Sequence, residues 1–219
     1  VAGTGSPAPP WRRLVARSGV LGFAFATSKA KSCVLAANDE SLARCGTRLP
    51  VPATADPAFL TMPAPDPDAF RAAMSGLPTG VTIVTADGPD GPAGATANAV
   101  CSLSIEPMMM LACLDRGSRT LLAVQAADRF GVSVLHAGQE PIARAFATKA
   151  PVAEKWSGVA WSERDGLPAI DDALIWLACD LRDVISAGDH VIVTGEVRAL
   201  EAREGDPLVF HAGDYRPLS

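Results

Sequence analysis

From Gly80 onward the sequence is a succession of short β-branched and apolar runs separated by turn-forming residues, and no strand–helix alternation organises them. Residues 80–86, 94–100, 108–114 and 130–135 read as strands, as do 158–163, 173–184, 190–201 and 207–210. The turns are explicit, above all Asp87-Gly88-Pro89-Asp90-Gly91-Pro92. The run Leu174-Ile175-Trp176-Leu177-Ala178-Cys179 is apolar at every position and suits a strand covered on both faces. Such a chain closes most economically as an antiparallel barrel, because closure removes exposed strand edges. A doubly wound sheet would need helices between its strands.

Few helices are expected. Asp68 can cap a short one ending at Met74, with Phe70, Ala73 and Met74 on one side and Gly76-Leu77-Pro78 as the stop. Ser118 can cap another through Ala126, and residues 139–146 form a third. The triplet Met108-Met109-Met110 reads as core filler, and Trp156 and Trp161 as core or interface residues. There is no GxGxxG after a strand, no Walker loop, no GxSxG elbow and no HExxH.

Charge divides the chain near residue 61. The first part carries Arg12, Arg13, Arg17, Lys29, Lys31, Arg44 and Arg48 against Asp39, Glu40 and Asp56, a net +4. The remainder is net −9, so that the 219 residues sum to −5. Residues 1–61 are rich in Pro, Ala, Ser and Gly without amphipathic period, and such a segment buries too little surface to offset its ordering entropy. Three readings stay open for them: a sequence upstream of a true start at Met62, a disordered tail, or an Arg12-Arg13 export signal. The folded domain is expected over residues 62–219.

An acidic chain lacks the basic face of a nucleic-acid binder, and no stretch approaches the roughly 20 apolar residues of a membrane span. The odd count of five cysteines, without CxxC spacing, fits neither a disulfide framework nor a zinc site. His136, His190 and His211 are too scattered for a metal pair, so no metal is expected. Reduced thiols point to a cytoplasmic setting.

Six segments in order resemble the flavin reductase family. They are Pro78-Thr79-Gly80-Val81-Thr82-Ile83-Val84-Thr85, the stretch Gly94-Ala95-Thr96-Ala97-Asn98-Ala99-Val100-Cys101-Ser102-Leu103-Ser104-Ile105-Glu106-Pro107, Asp115-Arg116-Gly117-Ser118-Arg119-Thr120, Phe130-Gly131-Val132-Ser133-Val134-Leu135, Gly188-Asp189-His190 with Gly195-Glu196-Val197, and Pro207-Leu208-Val209-Phe210 with Gly213-Asp214-Tyr215. One departure is Ser133, where relatives usually carry Asn. The resemblance implies a mainly β, antiparallel, six-stranded Greek-key split barrel that binds FMN, with a few flanking helices, usually as a homodimer. It implies an NAD(P)H:flavin oxidoreductase that passes hydride from NADH or NADPH to FMN or FAD and supplies the reduced flavin to a partner monooxygenase. The alternatives are a non-catalytic flavin-binding or storage protein, and a flavin oxidase similar to the pyridoxamine-phosphate or F420-dependent groups.

By the same resemblance Thr79, Gly80, Val81, Thr96, Ala97, Asn98, Ala99, Ser102 and Ser104 contact the flavin ring, and their small side chains and free N–H groups suit that role. Ser118 and Thr120 sit at an expected helix start, where N–H groups and the dipole favour a phosphate; Arg116 or Arg119 can add charge. His190 follows a Gly-Asp turn and stands beside flavin and nicotinamide as the catalytic candidate, while Tyr215 closes over the cofactors.

Overall fold

Most strands expected from the sequence assemble into one principal antiparallel sheet, while those expected at 158–163 and 207–210 fall in two smaller sheets. A computed structural model of the chain describes residues 66–218, so the readings of residues 1–61 and of the 62–65 leader lie outside the described residues. In chain order the elements are α1 (Pro67–Ser75), β1 (Thr79–Gly80), β2 (Thr82–Gly88), β3 (Gly91–Ala97), β4 (Val100–Ile105), β5 (Met108–Asp115), α2 (Arg119–Ala127) and β6 (Arg129–Val134). A 3-10 turn (Ala137–Gln139) leads into α3 (Glu140–Ala147) and α4 (Val152–Trp156). Then follow β7 (Trp161–Arg164), β8 (Leu167–Ile170), β9 (Ile175–Ala187), β10 (His190–Ala202), β11 (Val209–His211) and β12 (Asp214–Arg216).

The principal sheet has seven strands, one more than expected, in the order β3-β2-β6-β9-β10-β5-β4. Its two outermost strands, β3 and β4, are consecutive in the chain and separated only by Asn98 and Ala99. A sheet whose first and last strands are joined by so short a link must curl enough to bring the linked ends of those strands together, though the two edges are not paired. The Cys113 N–H donates to the Ala99 carbonyl at 2.9 Å, which carries the β4–β5 ladder into the link. This seam positions the cleft described below.

Period-two alternation distributes the core. Val84 and Ala86 of β2 face one cluster with Leu121 and Val124 of α2, Phe130, Leu177, Cys179, Val191 and Val193. Ile83 faces a second cluster with Leu135, Phe146, Trp156, Ile170 and Leu208. The first half of β9 is covered on both faces as its composition requires: Leu177 and Cys179 point into the first cluster, Trp176 and Ala178 lie under the β7–β8 hairpin with Leu167 and Ala169. Each such large side chain contributes roughly 1.5–3 kcal/mol by leaving water. Two buried hydroxyls fasten this hairpin: Thr85 Oγ1 donates to the Pro168 carbonyl at 2.5 Å, and Ser133 Oγ accepts the Ile170 N–H at 3.2 Å. The hydroxyl at 133 thus has a definite structural partner.

Local expectations needed correction in places. Asp66, not Asp68, caps α1, its Oδ2 accepting the Ala69 N–H at 2.9 Å, because Pro67 takes the first helical position. Phe70 and Met74 of that helix remain exposed. The methionine triplet is not core filler: Met108 is 57% exposed, and only Met110 packs on the first cluster. Trp156 is buried, whereas Trp161 is partly exposed beside it with ring centroids 5.1 Å apart. No helix among the described residues is long and apolar enough to cross a membrane.

Candidate functional site

At the seam, β3 and the Asn98–Ala99 link form one wall of a cleft of about 590 Å³. The end of β5, the start of α2, the end of α3 and helix α4 form the rest, with His190 entering from β10. The β3 wall, Ala93-Gly94-Ala95-Thr96-Ala97-Asn98-Ala99, has almost no side-chain bulk. A planar ring can therefore approach backbone groups there, and an edge strand leaves some of those groups unpaired. The wall is held in place from behind. Thr96 Oγ1 donates to the Ala143 carbonyl at 2.7 Å, and Thr82 Oγ1 to that of Ala97 at 2.6 Å. The Thr96 hydroxyl proton is thus committed to α3, and toward a ligand this residue offers acceptor capacity only.

The opposite end gathers hydrogen-bond donors and positive charge. Ser118 caps α2, its Oγ accepting the Thr120 N–H at 3.1 Å, and the turn before it is tightened by the Gly117 N–H donating to Asp115 Oδ1 at 2.7 Å. The first-turn N–H groups and the helix dipole make that terminus positive. Arg119, Lys149 and Lys155 line the same cleft. The Arg119 guanidinium donates to the Ala150 carbonyl at 2.6 Å, and the Lys155 ammonium to that of Phe146 at 3.2 Å. Among the described residues none of these three cations has a carboxylate within salt-bridge distance, while Arg71, Arg129, Arg144, Arg164, Arg182, Arg198 and Arg203 all have one. Burial, and then the charge of Arg119, push the Lys155 ammonium below the ordinary lysine pKa. Among the described residues Arg116 and Arg216 also lack such a partner, but only Arg119, Lys149 and Lys155 share a cleft, and three unneutralised cations together there favour a negatively charged ligand.

His190 pairs with Asp115 across the β5–β10 ladder, and its Nδ1 lies 2.8 Å from Asp189 Oδ1. Cys113, also on the wall, has its thiol pushed up by burial and then by Cys101.

A flavin reductase like domain model matches residues 74–219. The chain belongs to the flavin reductase-like family. Within this family it is 40% identical over 152 residues to a probable flavin reductase of Rhizobium meliloti, covering 68% of this chain and 48% of that protein, so the match spans about half of that relative's length. It is 41% identical over 158 residues to an FMN reductase (NADH) of Rhizobium rhizogenes, covering 69% of this chain and 91% of that protein. Among solved structures, the NADH:FAD oxidoreductase of Streptomyces globisporus in complex with NAD and FAD fragments aligns at a TM-score of 0.66 and 32% identity, covering 72% of this chain and 98% of that one.

Against this flavin reductase-like frame, the candidate residues fall into two groups. Thr96, Ala97, Asn98, Ala99, Ser118, Thr120 and His190 all line the cleft. Thr79, Gly80, Val81, Ser102, Ser104 and Tyr215 do not. Thr79 and Gly80 form β1, paired with β11, and Val81 is fully buried in the second cluster. Ser102 and Ser104 flank a register shift on β4, past the seam. Tyr215 packs on Phe210 at 5.2 Å between ring centroids, with the Arg144 guanidinium 4.9 Å over its ring. Lys149, Lys155 and Phe146 were missing from the candidates, since only the α3–α4 packing brings them to β3. Their one sequence signal is negative: Lys149 and Lys155 have no acid on a neighbouring helical turn except Glu154, which is adjacent to Lys155 and so does not face it.

Proposed function

We propose that this cleft binds a phosphorylated flavin and a reduced nicotinamide, and that the protein is an NAD(P)H:flavin oxidoreductase supplying reduced FMN or FAD to a partner monooxygenase. The observation that carries the proposal is the meeting, in one cleft, of a small-residue edge strand, a helix N-terminus and three carboxylate-free cations. The donor set fits a flavin, whose ring needs close backbone approach and whose phosphate needs positive charge. When bound, the two cofactors supply the hydride donor and acceptor, so no protein nucleophile is required.

The chain's residues align and hold. The 93–99 wall bounds the ring plane, and Ser118, Arg119, Lys149 and Lys155 fix the phosphate end. His190 faces the nicotinamide. Helix α4 and Phe146 shield one side of the cleft from water. The chemistry belongs to residues 62–219, and truncation of residues 1–61 leaves it intact. The setting is cytoplasmic, where the nicotinamide pool and reduced thiols coexist. The working unit is a homodimer: Leu103, Ile105, Met108, Val184 and Ile185 stand exposed on β4, β5 and β9 and call for a second copy. Sedimentation giving only the monomer mass refutes that unit.

The deciding assay mixes the protein with NADH or NADPH and free FMN, FAD or riboflavin, and follows nicotinamide absorbance. Flavin-dependent oxidation is expected from the full chain and from residues 62–219. No oxidation with any pair refutes the enzyme and leaves a flavin-binding protein.

A further inference from the structure

His190 has only one ring nitrogen available to a ligand. Its Nδ1 lies 2.8 Å from Oδ1 of Asp189. That carboxyl is held below the usual carboxylate range, first of all by this hydrogen bond. An ionised carboxylate only accepts, so the proton between the two atoms belongs to Nδ1. In the neutral imidazole the lone pair then resides on Nε2, which has no hydrogen-bond partner among the described residues.

The surrounding turn keeps this pair in place. Gly188 takes a left-handed conformation, φ +64°, that a side chain would strain. The Arg116 backbone N–H donates to the Asp189 carbonyl at 3.1 Å, and its guanidinium to the Gly188 carbonyl at 2.7 Å. Both peptide groups beside Asp189 are thus tied to the turn whose Ser118 caps α2. The charged groups facing His190 are Asp189 on its own turn, Asp115 across the ladder and Arg116 from the β5–α2 turn.

We propose that Asp189 is a positioning residue that fixes His190 as the Nδ1–H tautomer, so that Nε2 meets the nicotinamide as a hydrogen-bond acceptor for its carboxamide N–H. This rests on the reading of the cleft as a flavin and nicotinamide site and specifies the atom that reads the donor. A ring with the opposite tautomer would present a donor and select the carboxamide oxygen instead.

The test uses the full chain with 15N-labelled histidine, the His190 signals being assigned by their loss in His190→Gln. Long-range proton–nitrogen spectra at mildly alkaline pH are expected to show Nδ1 protonated in the parent and in Asp189→Asn, whose amide oxygen still accepts. In Asp189→Ala the ring is expected to revert toward the Nε2–H form that predominates in free histidine. In parallel, kcat/KM is compared for NADH and for the reduced 3-acetylpyridine analogue, which keeps the carbonyl and lacks the amide N–H. The preference for NADH should narrow by about five- to tenfold in Asp189→Ala, the worth of one hydrogen bond, and persist in Asp189→Asn. Flavin affinity should change less than about twofold in both variants, because the ring makes its contact with the nicotinamide. An Nε2–H ring in the parent, or the same tautomer and preference in Asp189→Ala, overturns the proposal. Absence of nicotinamide oxidation by the parent overturns the cleft reading and with it the acceptor role. The spectra still report the Asp189–His190 pair separately, so the two failures are distinguishable.

Discussion

Replacing Gly94 by Ala tests the packing that shapes the cleft. A methyl group at this position would stand 2.5 Å from Cε1 and 2.8 Å from Cδ1 of Phe146, and 3.4 Å from Cζ2 of Trp156. Carbon atoms pack at roughly 3.5–4.0 Å, so the phenyl ring must withdraw by about 1 Å. It has little room: Phe146 is 1% exposed and stands perpendicular to Trp156 at 4.8 Å between centroids. Overpacking of this kind costs roughly 1–3 kcal/mol. For a domain of this size that lowers Tm by about 3–10 °C. The ring's freest exit is into the cleft it lines, so flavin affinity falls as well. Urea titration of the ligand-free protein gives the first quantity, and flavin fluorescence quenching the second. In a Phe146→Leu background the flexible side chain accommodates the methyl, and Gly94→Ala should cost less there by about 0.5–3 kcal/mol. Unchanged stability in Gly94→Ala, or an equal loss in both backgrounds, refutes the packing argument.

Two further perturbations address charge. Lys155→Met removes a cation of the anion-binding end while keeping an apolar stem, and should weaken FMN binding about tenfold with riboflavin binding little changed, as expected for one charge-assisted bond; equal losses for both flavins, read by fluorescence titration, contradict it. Cys179 is fully buried beside Asp180, and burial, then that neighbour's charge, push its thiol up to about 12 from 9.0. The folded state therefore keeps its proton where the unfolded chain loses it. Stability from this group is complete below the unfolded value and falls by about 1.4 kcal/mol per pH unit from about 9 toward 12. Urea midpoints across the alkaline range should show that slope, and Cys179→Ala, though less stable overall, should flatten it; parallel slopes refute the assignment.

Strands were legible where both faces meet the core, as along Thr82–Ala86 of β2 and the first half of β9. The elements that escaped notice lack such a signature. Strand β8 has four residues including Pro168, α4 has five, and β4 is an edge strand with mostly exposed side chains. The same division runs through the site. Ser118, the 96–99 wall and His190 are fixed by local rules, namely a cap, a run of small residues and a Gly-Asp turn, and they are in the cleft. Lys155 lies 61 residues from the Gly94 carbonyl that its ammonium approaches at 3.5 Å, and only the packing of α3 and α4 on β3 brings the two together. Val81 and Tyr215 pack in or against the second core cluster, away from the cleft lining.

Cations at the cleft also bear on how an acidic protein captures an anion. With net −9 over residues 62–219, the protein as a whole repels a phosphorylated cofactor at long range. That repulsion is screened beyond about 8 Å at physiological ionic strength. Arg119, Lys149 and Lys155 act inside that distance, at a helix N-terminus whose N–H groups are fixed by Ser118 and the Asp115 turn. Added salt therefore weakens two opposed effects: the distant repulsion, which is the more easily screened, and the contact attraction, which the cleft walls protect. Association of a phosphorylated flavin should accordingly tolerate moderate salt far better than binding to a basic surface, where screening removes attraction alone. On the proposed reading of the cleft, selectivity for the phosphorylated cofactor would come from the local field of these three side chains, and the acidic remainder would discourage anions that do not enter the cleft.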